Sequence, residues 1–327
     1  MLEVDFKITI IVPFYNAESH IEFFISQLKK QNCQNFQAIF IDDGSSDRSV
    51  ELFKKSTKGD SKYILLSNTE KRSVGAARAL GIKSCSSKYF TFFDIDDKIS
   101  SDAVQIILSA INNCSDTDIF IFDHKISNTE KEESLISSET SDYIELFKSN
   151  SLLLNHLWNK VFRVNLFRQI DIDFFSTLSF AEDLYACVHT ILLTNRIKLI
   201  HQSYYTYIIH EGSCVTARSE KSFFDNAKVN IKLLDIVDTT KNSSIELYIQ
   251  RDSFNCFGQF IFPNKKNAFQ WKRPHFSKYR ELPLDKVNTP KEVSLLVRFY
   301  ISLIKHKCDF FAFIIWIFLK AKQGLKK

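Results

Sequence analysis

Short apolar runs alternate with stretches whose apolar positions recur every three or four residues over the first third of the chain. Ile8-Thr9-Ile10-Ile11-Val12, closed by Pro13, is a continuous β-branched run, as a parallel strand buried on both faces requires. From Ser19 to Lys30, Ile21, Phe24, Ile25 and Leu28 fall on one helical face, with Ser19 as the expected N-cap and Glu22 three residues on. Phe36 to Ile41 reads as a second strand ending in Asp42-Asp43-Gly44-Ser45-Ser46-Asp47, a turn and helix start. Tyr63 to Leu66 is a third strand, Val74 to Ile82 a helix, and Tyr89 to Phe93 a fourth strand running into Asp94-Ile95-Asp96-Asp97. A helix capped at Ser101 or Asp102 and a strand over Asp118 to Phe122 follow. This βαβα order predicts an α/β fold, a parallel sheet with helices on both faces.

Beyond that the pattern changes. Residues 125–142 are polar and rich in serine and glutamate, an expected exposed excursion, and from about residue 219 the signals are helical with no acidic constellation. The expected boundary lies between 216 and 222. Residues 1–218 form the α/β unit, with a nucleotide-binding half at 1–100 and an acceptor half at 101–218, and 219–327 form a helical C-terminal region.

Composition narrows the class only modestly. With 45% hydrophobic and 25% charged residues the chain is globular rather than disordered. A net charge of +5 over 327 residues gives no reason to expect nucleic acid as a partner. The seven cysteines have no CxxC pair or metal spacing, and a strand begins almost at once, so the expected setting is reducing and cytoplasmic.

Candidate chemistry gathers where strands end. In an open parallel sheet, ligands bind beyond the carboxyl ends of the strands. Pro13-Phe14-Tyr15-Asn16, Asp42-Asp43 and Asp94 to Asp97 all stand at such ends. Three carboxylates within four residues repel one another unless a cation intervenes, and all-oxygen ligands select a hard ion, Mg²⁺ or Mn²⁺. The same cluster also reads as a solvated acidic turn before the next helix, and the motif alone leaves both readings open. Asp43 offers an acceptor to a base or ribose and Tyr15 a ring face for stacking; Asp42 reads better as an Asx turn.

Taken together, Ile10-Ile11-Val12-Pro13-Phe14-Tyr15-Asn16, Ile41-Asp42-Asp43-Gly44-Ser45-Ser46-Asp47, Gly75-Ala76-Ala77-Arg78 and Phe93-Asp94-Ile95-Asp96-Asp97 resemble the family 2 glycosyltransferases with the Rossmann-like GT-A fold. The resemblance spans residues 7 to about 215. It implies an inverting, metal-dependent enzyme of the hexosyltransferase class, with Mn²⁺ or Mg²⁺ as cofactor and a nucleoside-diphosphate-sugar donor, with a UDP-sugar the expected one. Pro13, Tyr15 and Asp43 would hold base and ribose; Asp94 and Asp96 would contact the donor, with Asp96 and Asp97 on the metal. Arg78 would touch the donor or, the favoured role, hold the nucleotide-site carboxylates in place. Asp183, in Ser179-Phe180-Ala181-Glu182-Asp183-Leu184, matches the family's catalytic base, with Glu182 supporting it or touching acceptor. Trp158 and Lys160, in Leu157-Trp158-Asn159-Lys160-Val161-Phe162-Arg163, would meet a sugar face and phosphate charge, against the plainer reading of a core tryptophan with a lysine reaching solvent. His210, after the tyrosine-rich Tyr204-Tyr205-Thr206-Tyr207, is a further metal ligand by the same resemblance. One departure is Asn68-Thr69-Glu70-Lys71-Arg72-Ser73, where relatives carry Asn-Gly; it leaves Lys71 and Arg72 as donor contacts or a solvated loop.

Near the C-terminus, ten apolar residues (Phe310 to Leu319) precede Lys320, Lys322, Lys326 and Lys327. They are too few to span a bilayer of roughly 30 Å as a helix, but suit a monotopic anchor on an anionic leaflet. Val293 to Ile304 is a second candidate interfacial helix. The expected setting is the cytoplasmic face of the inner membrane, with a glycan or lipid-linked glycan acceptor, in capsule or lipopolysaccharide synthesis. Two rival classes remain: a nucleotidyltransferase, which usually wants a glycine-rich basic loop after its first strand that Pro13-Phe14-Tyr15-Asn16 lacks, and a non-catalytic nucleotide- or glycan-binding module, which needs no such set of carboxylates.

Overall fold

The computed structural model describes residues 6–68, 73–127, 132–133, 156–209 and 220–240, with single positions at 245, 249, 302 and 306. The chain divides into two compact units, Met1–Glu211 and Gly212–Lys327.

In the first unit, β1 (Ile8–Phe14), β2 (Gln37–Asp42), β3 (Tyr63–Ser67) and β4 (Tyr89–Phe92) lie in the order β3-β2-β1-β4, every neighbour parallel. Their connections are α1 (Ile21–Lys29), α2 (Ser49–Thr57) and α3 (Val74–Lys83). β1 is buried along its whole length, which is why its sequence shows no alternation. The expected Ser19 cap does not form. α1 starts after His20 without a side-chain cap, the Ala17 carbonyl takes the amides of His20 and Ile21, and Glu22 pairs with Lys55 of α2 instead.

α3 lies so close to its surroundings that two positions tolerate only glycine. A Cβ on Gly75 would stand 2.3 Å from the Phe175 carbonyl oxygen and 2.7 Å from that of Leu178. One on Gly81 would stand 2.5 Å from Ile11 Cγ2. The helix is therefore pinned to the sheet at one end and to backbone beyond residue 174 at the other. Ser73 caps it, accepting from the Ala76 amide and donating to the Ser176 carbonyl.

After β4 the chain forms β5 (Lys98–Ile99), α4 (Ala103–Asn113), β6 (Ile119–Ile126), β7 (Glu132–Glu133) and β8 (Lys160–Arg163). Then come α5 (Val164–Phe167), α6 (Ile172–Thr177), α7 (Glu182–Leu192) and β9 (Ile197–Tyr207). The sheet continues β4-β8-β6-β9-β5, with β7 beside β6. The sheet is mostly parallel, as expected: beyond β4, β6 and β9 run parallel, while β8 is antiparallel to both β4 and β6, and β5 is antiparallel to β9. Four residues carry no readable period, so the inserted strand left no signal in the sequence. The joint is packed with phenylalanine, Phe90 stacking on Phe162 at 5.6 Å and meeting Phe167 edge-on.

In the second unit, α8 (Glu220–Thr240) places Val229, Leu233 and Val237 on one buried stripe. The apolar stretches 293–304 and 310–319 lie outside the described residues, and no described helix is long and apolar enough to cross a membrane.

Candidate active site

β-strand register assembles the site. Phe14 pairs with Asp42 and Ile11 with Phe92, so the loops after β1, β2 and β4 leave one edge of the sheet together. The first two are knitted by side chains. Asn16, in the left-handed region at φ 49°, donates its amide to Ser45 Oγ and accepts from the Ser46 amide. Asp42 accepts from the Ser45 amide, closing an Asx turn around Gly44 at φ 84°. Pro13 is buried in β1, and Tyr15, 40% exposed, stands beyond it. Asp43 is buried; its amide donates to the Phe14 carbonyl, and Asn68 Nδ2 donates to its Oδ1 at 2.8 Å. Asn68, the first residue of the loop that departs from the relatives' pattern, thereby holds Asp43.

The second half of the site reaches the first through Arg78. The Gly75 contact sets α3 against the segment leading to α7, which puts Arg78 Nη1 on Glu182 Oε1 while Nη2 donates to Asp94 Oδ1 at 2.9 Å. The guanidinium is buried and lies 5.5 Å from the Phe92 ring centroid. Despite burial, Asp94 and Glu182 push its pKa up. Its Nε has no hydrogen-bond partner among the described residues. α7 begins after Ala181, held at φ 60°, and Asp183 accepts from the Leu184 amide at 2.8 Å. Burial, then the neighbouring Glu182, raise the Asp183 carboxyl to about 8. Burial likewise raises Glu182, against the pull of Arg78.

Within the acidic loop the three carboxylates differ. Asp96 is exposed and Asp94 partly so. Asp97, expected among the metal ligands, is 1% exposed and turned inward: Tyr205 donates to Oδ2 at 2.6 Å and the Ile208 amide to Oδ1 at 2.8 Å. Its pKa is pushed up to about 8 by burial and by Asp94. Among the described residues no three histidine, cysteine or carboxylate side chains gather as a metal shell. Asp94 and Asp96 remain as hard oxygen donors, which fits Mg²⁺ or Mn²⁺, ions that keep several waters and complete their shells with phosphate oxygens. His210, Lys71 and Arg72 lie outside the described residues.

Two further expectations are corrected. Trp158 is no open sugar platform: it is 3% exposed, stacked on Tyr205 at 4.6 Å and on His156 at 4.7 Å, so its faces are already occupied. Lys160 does not reach solvent or a phosphate. It is fully buried, donating to Asn159 Oδ1 at 2.9 Å and to the His156 carbonyl, and burial lowers its pKa. The lowered values of His124 (about 4) and His156 (about 3) arise first from burial and then from this lysine, so both rings are neutral.

The mixed sheet, its parallel strand ends converging on a carboxylate-rich edge, matches the GT-A fold expected from the sequence. The glycosyl transferase family 2 model matches residues 9–171. Over 233 residues the chain is 28% identical to Glycosyltransferase GlyA of Streptococcus pneumoniae, covering 67% of this chain and 33% of that protein. Over 253 residues it is 23% identical to poly(ribitol-phosphate) beta-N-acetylglucosaminyltransferase TarS of Staphylococcus aureus, covering 75% of this chain and 44% of TarS. The chain thus spans about a third of one relative and under half of the other. The crystal structure of S. aureus TarS 1-349 in complex with UDP-GlcNAc matches with a TM-score of 0.68 at 19% identity, over 97% of this chain and 92% of that one. That likeness establishes the fold. This chain belongs to the family 2 glycosyl transferases.

Proposed function

We propose that the chain transfers a sugar from a UDP-sugar to a hydroxyl of a glycan acceptor, with inversion and with the help of a divalent cation, in bacterial surface-polysaccharide synthesis. The carrying observation is Arg78, one buried side chain bonded both to Asp94 of the β4 loop and to Glu182, next to Asp183. It ties the loop assigned to the donor diphosphate to the helix assigned to the base. The UDP-GlcNAc complex of TarS, on the same fold, supports the donor class.

In this reading Tyr15 stacks on the base, while Asp43, held by Asn68, accepts from base or ribose. Asp183 takes the proton of the acceptor hydroxyl. The hydroxyl oxygen then attacks the anomeric carbon from the face opposite the diphosphate, the carbon–oxygen bond to the diphosphate breaks, and configuration inverts in one displacement. Glu182 is neutralised by Arg78 and orients the start of α7. A cation held at Asp94 and Asp96 would supply charge neutralisation at the leaving diphosphate. The C-terminal apolar stretch followed by lysines supports a peripheral site on an anionic cytoplasmic leaflet, close to a lipid-linked acceptor.

The test is a screen of nucleotide-sugars for Mn²⁺-dependent donor hydrolysis and transfer. Asp183→Asn is expected to lower kcat by about 10²–10⁴ with donor affinity kept. Unaltered activity in Asp96→Ala and Asp183→Ala variants would sink the assignment.

A further inference from the structure

The inward turn of Asp97 has a partner 108 residues away in sequence. The Tyr205 hydroxyl accepts from the Asp94 amide at 3.1 Å and donates to Asp97 Oδ2 at 2.6 Å. One hydroxyl thereby clasps both ends of the four-residue acidic loop. The Asp97 amide closes the same turn on the Asp94 carbonyl at 3.3 Å, and Ile208, three residues beyond Tyr205, holds the second Asp97 oxygen. The clasp is itself held rigidly. Tyr205 is 1% exposed, its ring stacks on Trp158 with 8° between planes, and Phe93 packs against it at 5.5 Å. On the other side Gln27 donates to the Asp97 carbonyl and accepts from the Ile99 amide. With both Asp97 oxygens on protein donors, the loop presents Asp94 and Asp96 outward.

We propose that Tyr205 is a positioning residue for the donor loop, and that Asp97 is its anchor rather than a cation ligand. The inference rests on the reading of this loop as the cation and diphosphate site. It adds that strand β9 sets the spacing of the two outward carboxylates, so a cation feels Tyr205 without touching it.

Mn²⁺ affinity in the presence of UDP, read from the EPR signal of free Mn²⁺, separates ligand from anchor. Asp96→Asn is expected to weaken binding by about 100-fold, and Tyr205→Phe and Asp97→Asn by about 10-fold each, within the range for outer-shell partners. Because the last two disturb the same clasp, the double variant should be little worse than either single one. Asp97→Asn falling as far as Asp96→Asn, or adding fully to Tyr205→Phe, would overturn the inference. A wild-type protein that binds no Mn²⁺ would overturn the reading of the loop instead. In that event the clasp is still tested by hydrogen exchange in the metal-free protein. There Tyr205→Phe should speed exchange of the Asp94 amide about 10-fold, and unchanged exchange would refute the clasp.

Discussion

Two clusters of arginine and carboxylate sit on opposite edges of one sheet and differ in how their charges close. On the amino edge a single buried carboxylate, Asp118, takes Arg163 at 2.7 Å, Arg196 at 2.9 Å and the Thr194 hydroxyl at 2.7 Å. Burial raises its pKa, but the hydrogen bonds from Thr194 and Arg196 outweigh that and hold it below the ordinary carboxylate range. On the carboxyl edge the proportions are reversed. Among the described residues Arg78 alone serves Asp94 and Glu182, with Asp183 beside them, and its Nε has no partner there. Negative charge is in excess there, and Asp183 is pushed up to about 8. A cluster that only holds the fold together neutralises itself. One that awaits a proton, a cation or a substrate keeps its groups away from their ordinary ionisation, and that imbalance supports the second cluster as the proposed site.

The sharpest way to break this contrast is to remove one arginine from each cluster. Arg78→Ala leaves Glu182 buried and Asp94 half-buried without their cation and is expected to cost about 3–5 kcal/mol of stability by urea denaturation. Arg196→Ala should cost far less, because its side chain is half exposed and Asp118 keeps Arg163. Equal losses would erase the distinction.

Next in size is Gly75→Ala. Its methyl would press on two backbone carbonyls that cannot rotate away, costing about 1–3 kcal/mol and moving Arg78 relative to Glu182, so turnover should fall along with stability. A variant as active and stable as the parent would separate the Arg78 bridge from the docking of α3.

The smallest effect to resolve is in pH. In its proposed role as base Asp183 must lose its proton, so kcat/KM is expected to rise with pH through about 8, and Arg78→Gln should move that limb upward. The two clusters should also shift stability in opposite directions. The Asp183 contribution is full below its ordinary 3.8 and is lost as pH rises through about 8. The Asp118 contribution is full above 3.8 and is lost as pH falls through its lowered folded value. Urea midpoints of wild type, Asp183→Asn and Asp118→Asn across that range read both signs.

Much of the donor half was legible in one dimension. β1, β2 and β4 announce themselves as apolar runs, and the polar residues that end them fall into register because parallel neighbours start from the same layer. The acceptor half was less readable. β8 is four residues long, and its Lys160 and neighbouring Trp158 look like binding residues because lysine and tryptophan are usually found reaching for something. Only their burial shows that they pack beneath the site. The helix start at Glu182-Asp183 was legible, but its distance from the acidic loop was not, since that depends on the glycine contact between α3 and the chain near Phe175.

By itself, then, the sequence determined which strands form, which side chains end them, and which chemistry those ends can support, because each depends on neighbours within a few positions. Tertiary structure alone decided which of three adjacent aspartates turns inward. That choice rests on hydrogen bonds from Tyr205 and Ile208, more than a hundred residues away, whose donors must be satisfied once burial removes them from water.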